Sequence, residues 1–203
     1  FNIMATKQKI NTVTAQAEPS KDFFISMLTR DIRLIDCILD LIDNSIDSIV
    51  YGTNFDPMKD LLRSTNKGEV SLDGYKIEIS FSEKNFTVKD NAFGISKKEA
   101  EERVFRFGRD AVRAGKKGGL SIYGIGMKRA CYKIGNSLDV QSVTEKTHIQ
   151  VGYDVSNWLK KEGWTLDINW RDKNNSDTRG TKIEIKHLHD EISGNFKLKT
   201  FEA

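Results

Sequence analysis

The chain has 203 residues, enough for one domain with a sizeable core. Its 32 Lys and Arg and 29 Asp and Glu residues give a net charge of +3, too balanced to indicate nucleic acid or an anionic membrane as a partner. No apolar run approaches the roughly 20 residues of a membrane span, and no signal peptide is recognisable. The two cysteines lack the spacing of a metal site and are predicted to be reduced core residues, so we expect a cytoplasmic protein.

The N-terminal part of the chain is predicted to be an arm followed by helix. Residues 1–19 are polar without periodicity, which is typical of a leader or arm. Ser20 is a plausible N-cap, and the apolar spacing after it predicts one long helix or two helices broken near Thr29. Gly52 is expected to end this helical region. The turn-rich sequence that follows holds one short helical candidate, at residues 57–63.

An acidic stripe runs along the second half of this helical region. On an α-helix its members fall within an arc of roughly 100°, while nearly all other positions are apolar. The stripe consists of Asp36, Asp40, Asp43, Asn44 and Asp47. A helix that is apolar over most of its circumference is buried, so the stripe must face water or a cavity. It is either a solvent-facing stripe in which Arg33 pairs with Asp36, or a set of oxygen ligands for a divalent cation with a spare carboxylate to handle water.

Alternating polar and apolar residues predict six strands. The first two form a hairpin, and the last four follow in the C-terminal half. The predicted strands cover residues 75–81, 86–90, 138–143, 147–155, 164–170 and 181–188. Strict alternation favours strands with one buried face, as in antiparallel sheets. We therefore predict an α/β two-layer sandwich, in which a mostly antiparallel mixed sheet carries helices on one face.

Two more helices and the domain limits follow from local signals. Ser96 and Glu99 form a capping box that predicts a helix over residues 97–107. Another helix opens at the G-x-G of Gly124 and Gly126 and stops at Gly135. The tail after Leu188 is polar. We accordingly assign the arm to residues 1–19, the domain to residues 20–190, and the start of a tail or following domain to residues 191–203.

Three segments have residue types suited to nucleotide chemistry. Residues 108–121 are rich in glycine and basic residues, typical of a mobile basic loop or of a solvated linker. Gly124 and Gly126 precede a helix, which suits phosphate binding but also a tight turn. Asp90 ends a strand before a glycine-containing turn. Its carboxylate could accept a hydrogen bond from an exocyclic amine, with the Thr181 hydroxyl beside it, or it could form a simple Asx turn.

Taken in order, four segments resemble the boxes of the GHKL ATPases, which include gyrase-type topoisomerases, ninety-kilodalton heat-shock chaperones, histidine kinases and MutL-type mismatch-repair proteins. Residues 40–44 (D-L-I-D-N) resemble the N-box, and residues 90–94 (D-N-A-F-G) resemble the D-x-G-x-G box. Residues 121–126 (S-I-Y-G-I-G) resemble the G-x-x-G-x-G box, and Gly180-Thr181 resembles the final threonine strand. The resemblance covers about residues 20–188 and implies a Bergerat-type ATP-binding fold.

The resemblance also implies a ligand, Mg²⁺ with ATP or ADP, and roles for individual residues. Asp40 would be the general base, and Asn44 would ligate the Mg²⁺ carried by the phosphates. Asp90 would bind the adenine amine, supported by Thr181. Beside the adenine would lie Ala92 and Gly94, with Gly94 allowing its close approach. The phosphates would be cradled by Gly124, Ile125, Gly126 and Lys128, and residues 108–121 would be part of an ATP lid.

Departures from the family pattern leave the activity open. Asp40 stands where hydrolysing branches usually have the longer Glu, while histidine kinases usually have Asn there. The chain therefore leans toward the chaperone and MutL-like branch. Ala92 and Ser121 each replace a glycine of their boxes. We expect a slow ATPase that drives a conformational change in a larger protein, with downstream domains and a nucleotide-dependent homodimer as partners. The alternatives are a nucleotide-binding switch without hydrolysis and a phosphotransferase, and the latter lacks a preceding phospho-accepting His.

Overall fold

The computed structural model describes residues 12–15, 17–54, 72–106 and 125–197. The helical region after the arm forms two helices, α1 (Lys21–Thr29) and α2 (Leu34–Thr53), so the predicted break near Thr29 is confirmed. Ser20 caps α1 by accepting a hydrogen bond from the backbone N–H of Phe23 at 3.3 Å. The predicted helix at 57–63 and the predicted lid at 108–121 lie outside the described residues.

The prediction that Gly52 ends α2 is wrong. The helix continues to Thr53, and Asn54 ends it in the left-handed conformation with φ of 55°. Gly52 has a different requirement, since a Cβ atom there would overlap the ring of Phe93. Packing against Phe93, in the segment after the second strand, therefore requires a glycine at this position.

Within the described residues, six strands form one open sheet in the order β1-β2-β6-β3-β4-β5, and every neighbouring pair is antiparallel. The strands are β1 (Ile77–Phe81), β2 (Asn85–Asp90), β3 (Gly135–Val143), β4 (Thr147–Asp154), β5 (Asn169–Asp172) and β6 (Gly180–Leu188). The predicted two-layer α/β architecture is confirmed. The fifth strand begins later than predicted because residues 161–168 form bends and irregular chain after a short helix.

The core lies on one face of the sheet, as alternation predicts. Register places Val88 opposite Ile183, and Ile183 opposite Val140, so these side chains form a row across three strands. A second row two residues further on contains Phe86, Ile185 and Leu138. All six side chains are at most 5 % exposed. The helices α2 and α4 (Gly126–Ile134) pack against each other and contribute Leu41 and Ala130 to the same core.

The remaining helices complete the layer. The predicted capping box is present in α3 (Lys97–Glu99), which continues as a π-helical turn over Ala100–Val104 rather than reaching residue 107. A short helix, α5 (Val155–Lys160), follows β4. None of the helices within the described ranges has the length and apolar character to cross a membrane.

The polar tail folds back onto the core. Helix α6 (Asp190–Lys197) buries Ile192 to 1 % and Phe196 to 6 % exposure. The ring of Phe196 stacks on that of Phe86, with the centroids 5.8 Å apart. The packed core thus includes two side chains of α6.

Candidate functional site

A row of polar side chains lies at one end of the buried face of the sheet. The register that pairs Lys89 with Lys182 brings Asp90 next to Thr181, and Thr181 is paired with Ser142 on β3. The hydroxyl oxygens of Thr181 and Ser142 are 2.7 Å apart. Asp90 is 7 % exposed and Ser142 is fully buried. The structure therefore brings together Asp90 and Thr181, which the sequence predicted as a pair.

The Asp90 carboxylate accepts three hydrogen bonds from described residues. Its Oδ1 atom accepts the backbone N–H groups of Ala92 at 2.9 Å and Thr181 at 3.1 Å, and its Oδ2 atom accepts the hydroxyl of Ser45 at 2.8 Å. A carboxylate offers about four lone-pair positions, so one acceptor position remains on Oδ2. Asp90 thus forms an Asx turn with Ala92 and is still able to accept an N–H from an amine.

Two glycines beside this carboxylate are required by the backbone. Gly94 has φ of +73°, and a Cβ atom there would press on the backbone of Val143 at the end of β3. Gly180 has φ of +135°, and its Cβ would overlap the backbone carbonyl of Asp90. Both positions therefore favour glycine for conformation and close chain packing. The role of Gly94 in adenine approach stays a prediction.

Helix α2 carries the predicted base and metal ligand one turn apart. The side-chain amide of Asn44 donates to the backbone carbonyl of Asp40 at 2.7 Å, which turns the amide oxygen of Asn44 the other way. That oxygen is of the type that Mg²⁺ takes from a protein when phosphate oxygens supply other ligands. Among the described residues, no three His, Cys, Asp or Glu side chains are grouped to hold a metal by themselves. The role of Asn44 as a ligand of a cation carried by phosphates stays a prediction.

The acidic stripe is partly neutralised, as the first interpretation predicted. Arg33 donates two hydrogen bonds of 2.8 Å to Asp36. Partial burial raises the pKa of Asp43, and the charges of Asp40 and Asp47 raise it further. One end of the stripe therefore pairs with a surface Arg, while the cation-binding interpretation of the other members stays a prediction.

The predicted base has a cationic partner that the sequence did not predict. Arg129 on α4 donates from Nη2 to the Asp40 carboxylate at 2.7 Å. Gly126, the first residue of α4, lies against the same carboxylate, since a Cβ atom there would come within 3.1 Å of the Asp40 Cγ. The start of α4 therefore packs directly on the predicted catalytic side chain.

Two other predicted phosphate-binding residues, Ile125 and Lys128, lie at the start of α4. Ile125 is its N-cap, and its carbonyl accepts the N–H of Arg129 at 2.9 Å. Lys128 is only 3 % exposed, so it lies inside the fold rather than on an open surface. Gly124 lies outside the described residues.

Sequence reasoning missed three side chains that support the site. Ser45 and Ser142 hold Asp90 and Thr181, and Arg129 holds Asp40. Ser45 could have been identified from helical spacing, because it directly follows Asn44 on a helix that packs on the sheet. Ser142 and Arg129 required the strand register and the helix packing.

Comparison with protein families gives an independent result. A family model described as "Histidine kinase-, DNA gyrase B-, and HSP90-like ATPase" matches residues 32–183. This range covers most of the chain and includes Asp40, Asn44, Asp90 and Thr181. A search of curated proteins found no match. The chain therefore belongs to the family of histidine kinase-, DNA gyrase B- and HSP90-like ATPases, as its resemblance to the GHKL superfamily predicted.

Proposed function

We propose that this domain binds ATP with Mg²⁺ and hydrolyses it slowly to ADP and phosphate, and that the cycle drives a conformational change in a larger protein. The observation that carries the proposal is the Asp90 carboxylate. It is buried at the end of the core, oriented by three donors, and retains one acceptor position. A buried acceptor left without a donor is costly, which favours a ligand that presents an N–H group there.

Adenine suits this acceptor better than guanine does. The exocyclic group of adenine is an amine that donates to Oδ2 of Asp90, whereas guanine presents a carbonyl oxygen at the equivalent position. Two acceptors facing each other in a buried site repel and lose their water. Thr181 and Ser142 keep a hydroxyl pair beside the carboxylate, and that pair can donate to or accept from a further ring atom.

Hydrolysis rests on Asp40 and Asn44. Mg²⁺, when bound with the nucleotide, supplies charge neutralisation at the phosphates. Asn44 would contribute its amide oxygen to the ion, and Asp40, one helical turn away, would accept a proton from the attacking water. A general base must come within about 2.6–3.2 Å of that water, directly or through one further water. The carboxylate at this position favours the chaperone and MutL-like branch over the kinases.

A second candidate function is a nucleotide-held switch without hydrolysis. Arg129 occupies Oδ2 of Asp40 at 2.7 Å, and the Asp side chain is shorter than Glu, so its reach toward a water is reduced. In either case we propose that downstream domains read the nucleotide state, with a nucleotide-dependent homodimer as the assembly.

Phosphate release separates the two functions. We expect wild-type protein, measured in its full-length form with Mg²⁺ and ATP, to release phosphate slowly. Asp40→Asn should preserve ATP affinity and lower turnover by about 10²–10⁴-fold, the range of positioned acid–base groups. Asn44→Ala should instead weaken the Mg²⁺-dependent part of binding. Equal turnover in wild-type and Asp40→Asn protein would contradict the assignment of Asp40.

A further inference from the structure

Arg129 lies beside two carboxylates of the same helix. It pairs with Asp40 at 2.7 Å, and its charge also contributes, after the larger effect of Arg33, to lowering the pKa of Asp36. Asp36 and Asp40 are one helical turn apart and lie on the same face of α2. Asp36, which lines the same cleft as Arg129, is therefore a second candidate anionic partner of this guanidinium.

The pairing with Asp40 does not fix the guanidinium completely. Its Nε atom is buried and has no hydrogen-bond partner among the described residues. The side chains of Arg129 and Asp40 are 33 % and 25 % exposed. A buried N–H donor without a partner is uncommon in folded proteins, and it means that the observed rotamer leaves part of the bonding capacity unused.

An open cleft beside Arg129 provides room for a second rotamer. Its volume is about 310 Å³, and its wall includes Arg129, Asp31 and Asp36 together with apolar side chains of the α1 region. Asp36 is held by Arg33, but that pair is at the surface, with 77 % of the Arg33 side chain exposed. Solvent screens an exposed ion pair of this kind, which reduces its contribution to stability.

The pairing also limits what Asp40 can do. Oδ2 is occupied by Arg129, and the Oδ1 side lies against Gly126, where a Cβ would be 3.3 Å from Oδ1. The guanidinium takes one of the two acceptor positions on Oδ2 and so crowds the approach of a water to that oxygen. Because Arg129 is on α4, whose first residue Gly126 contacts Asp40, a shift of α4 would move the guanidinium relative to the base.

We propose that Arg129 is a positioning residue that holds Asp40 when no nucleotide is bound and transfers to Asp36 when nucleotide binds, leaving Asp40 able to accept a proton. The inference rests on the proposed ATP-binding function. It assigns to the pair of carboxylates a role that neither the acidic stripe nor the family motifs predict. Arg129 acts through Asp40 and does not itself touch the nucleotide.

Double-mutant cycles in thermal denaturation test the transfer without measuring catalysis. The variants are Arg129→Gln, Asp40→Asn and Asp36→Asn, singly and in pairs, with and without a saturating non-hydrolysable ATP analogue. Without the analogue, Arg129→Gln and Asp40→Asn together should lower the melting temperature by less than the sum of the single changes, while Arg129→Gln and Asp36→Asn should be additive. With the analogue, the non-additivity should move to the Asp36 pair.

Kinetics supply a second reading with a matched control. Arg129→Gln should change kcat with little change in KM, Arg129→Lys should restore part of the wild-type value, and Lys133→Gln, which removes a charge one turn further along α4, should change neither. A large rise in KM would mean that Arg129 binds the phosphates and would overturn the proposal. Non-additivity that stays with Asp40 in the presence of the analogue would overturn it too.

The experiments distinguish a failure of the proposed ATP binding from a failure of the proposed transfer. If calorimetry detects no binding of the analogue, both proposals are overturned, although the Arg129–Asp40 non-additivity would still be measured without nucleotide. If the analogue binds and the non-additivity does not move, only the transfer is wrong.

Discussion

Replacing Asp90 with Asn tests adenine recognition at the level of single atoms. The two backbone N–H donors of Ala92 and Thr181 require an oxygen at the Oδ1 position, so the new NH₂ group takes the place of Oδ2. The Ser45 hydroxyl, which donates to Oδ2 at 2.8 Å, can reverse and accept. Hydrogen bonds to a charged group contribute about 1.5–3 kcal/mol and neutral ones about 0.5–1.5 kcal/mol, so we expect a modest loss of stability and an intact fold.

The effect on ATP should be larger than the effect on folding. In Asp90→Asn the adenine amine would face an NH₂ donor in place of its acceptor. Loss of one hydrogen bond to a charged group, about 1.5–3 kcal/mol, corresponds to about 10–150-fold weaker binding. Isothermal titration calorimetry with ATP measures the dissociation constant, and thermal denaturation verifies that the variant is folded.

A matched variant separates the effect of removing a carboxylate charge from the effect of removing it at the site. Asp139 on β3 is paired with Gly152 and bonds to Gln141 and Gln150 on the opposite side of the sheet from the core, so Asp139→Asn removes the same charge away from the site. It should leave ATP affinity within about twofold of wild type. An Asp90→Asn protein that is folded and binds ATP as tightly as the Asp139→Asn protein would refute the adenine assignment.

Three further predictions concern folding and pH. Phe196→Ala should destabilise the protein by about 3–5 kcal/mol in denaturant unfolding, because the ring is 6 % exposed and stacks in the core. Gly163→Ala should lower the free energy of unfolding by about 1–2 kcal/mol, because the backbone there is left-handed. Gly180→Ala should lower it by more, because of these two glycines only Gly180 would place the new Cβ against another chain segment. Equal losses would contradict this packing. The pKa of Asp177 is lowered, mainly by a hydrogen bond from the guanidinium of Arg171 on β5. Ionised Asp177 therefore stabilises the fold above a pH of about 4, and this stabilisation is lost as the pH falls below that value. The difference in melting temperature between wild type and Asp177→Asn should therefore shrink as the pH falls below about 4.

Much of the fold could be predicted from local sequence signals. Alternation predicted all six strands, since a sheet with one buried face imposes a period of two residues. The caps at Ser20 and Ser96 were also predicted, because capping depends on residues within one turn. Gly52 was misinterpreted as a helix end, since the ring of Phe93 that requires a glycine there lies 41 positions away in the sequence.

The site could be predicted only as a set of separate residues. The ordered boxes predicted Asp40, Asn44, Asp90 and Thr181, because each box has its own pattern of residue types. Their partners depend on strand register and on the packing of two helices, which no local pattern contains. The pairing of Arg129 with Asp40 joins residues 89 positions apart, so it became visible only in three dimensions.

Calorimetric titration of the wild-type protein with ATP and with GTP, both in the presence of Mg²⁺, tests the central claim most directly. If the acceptor position on Asp90 recognises the adenine amine, ATP and ADP bind and GTP binds at least tenfold more weakly, because the guanine carbonyl meets another acceptor. Equal affinity for ATP and GTP would contradict the account of the site.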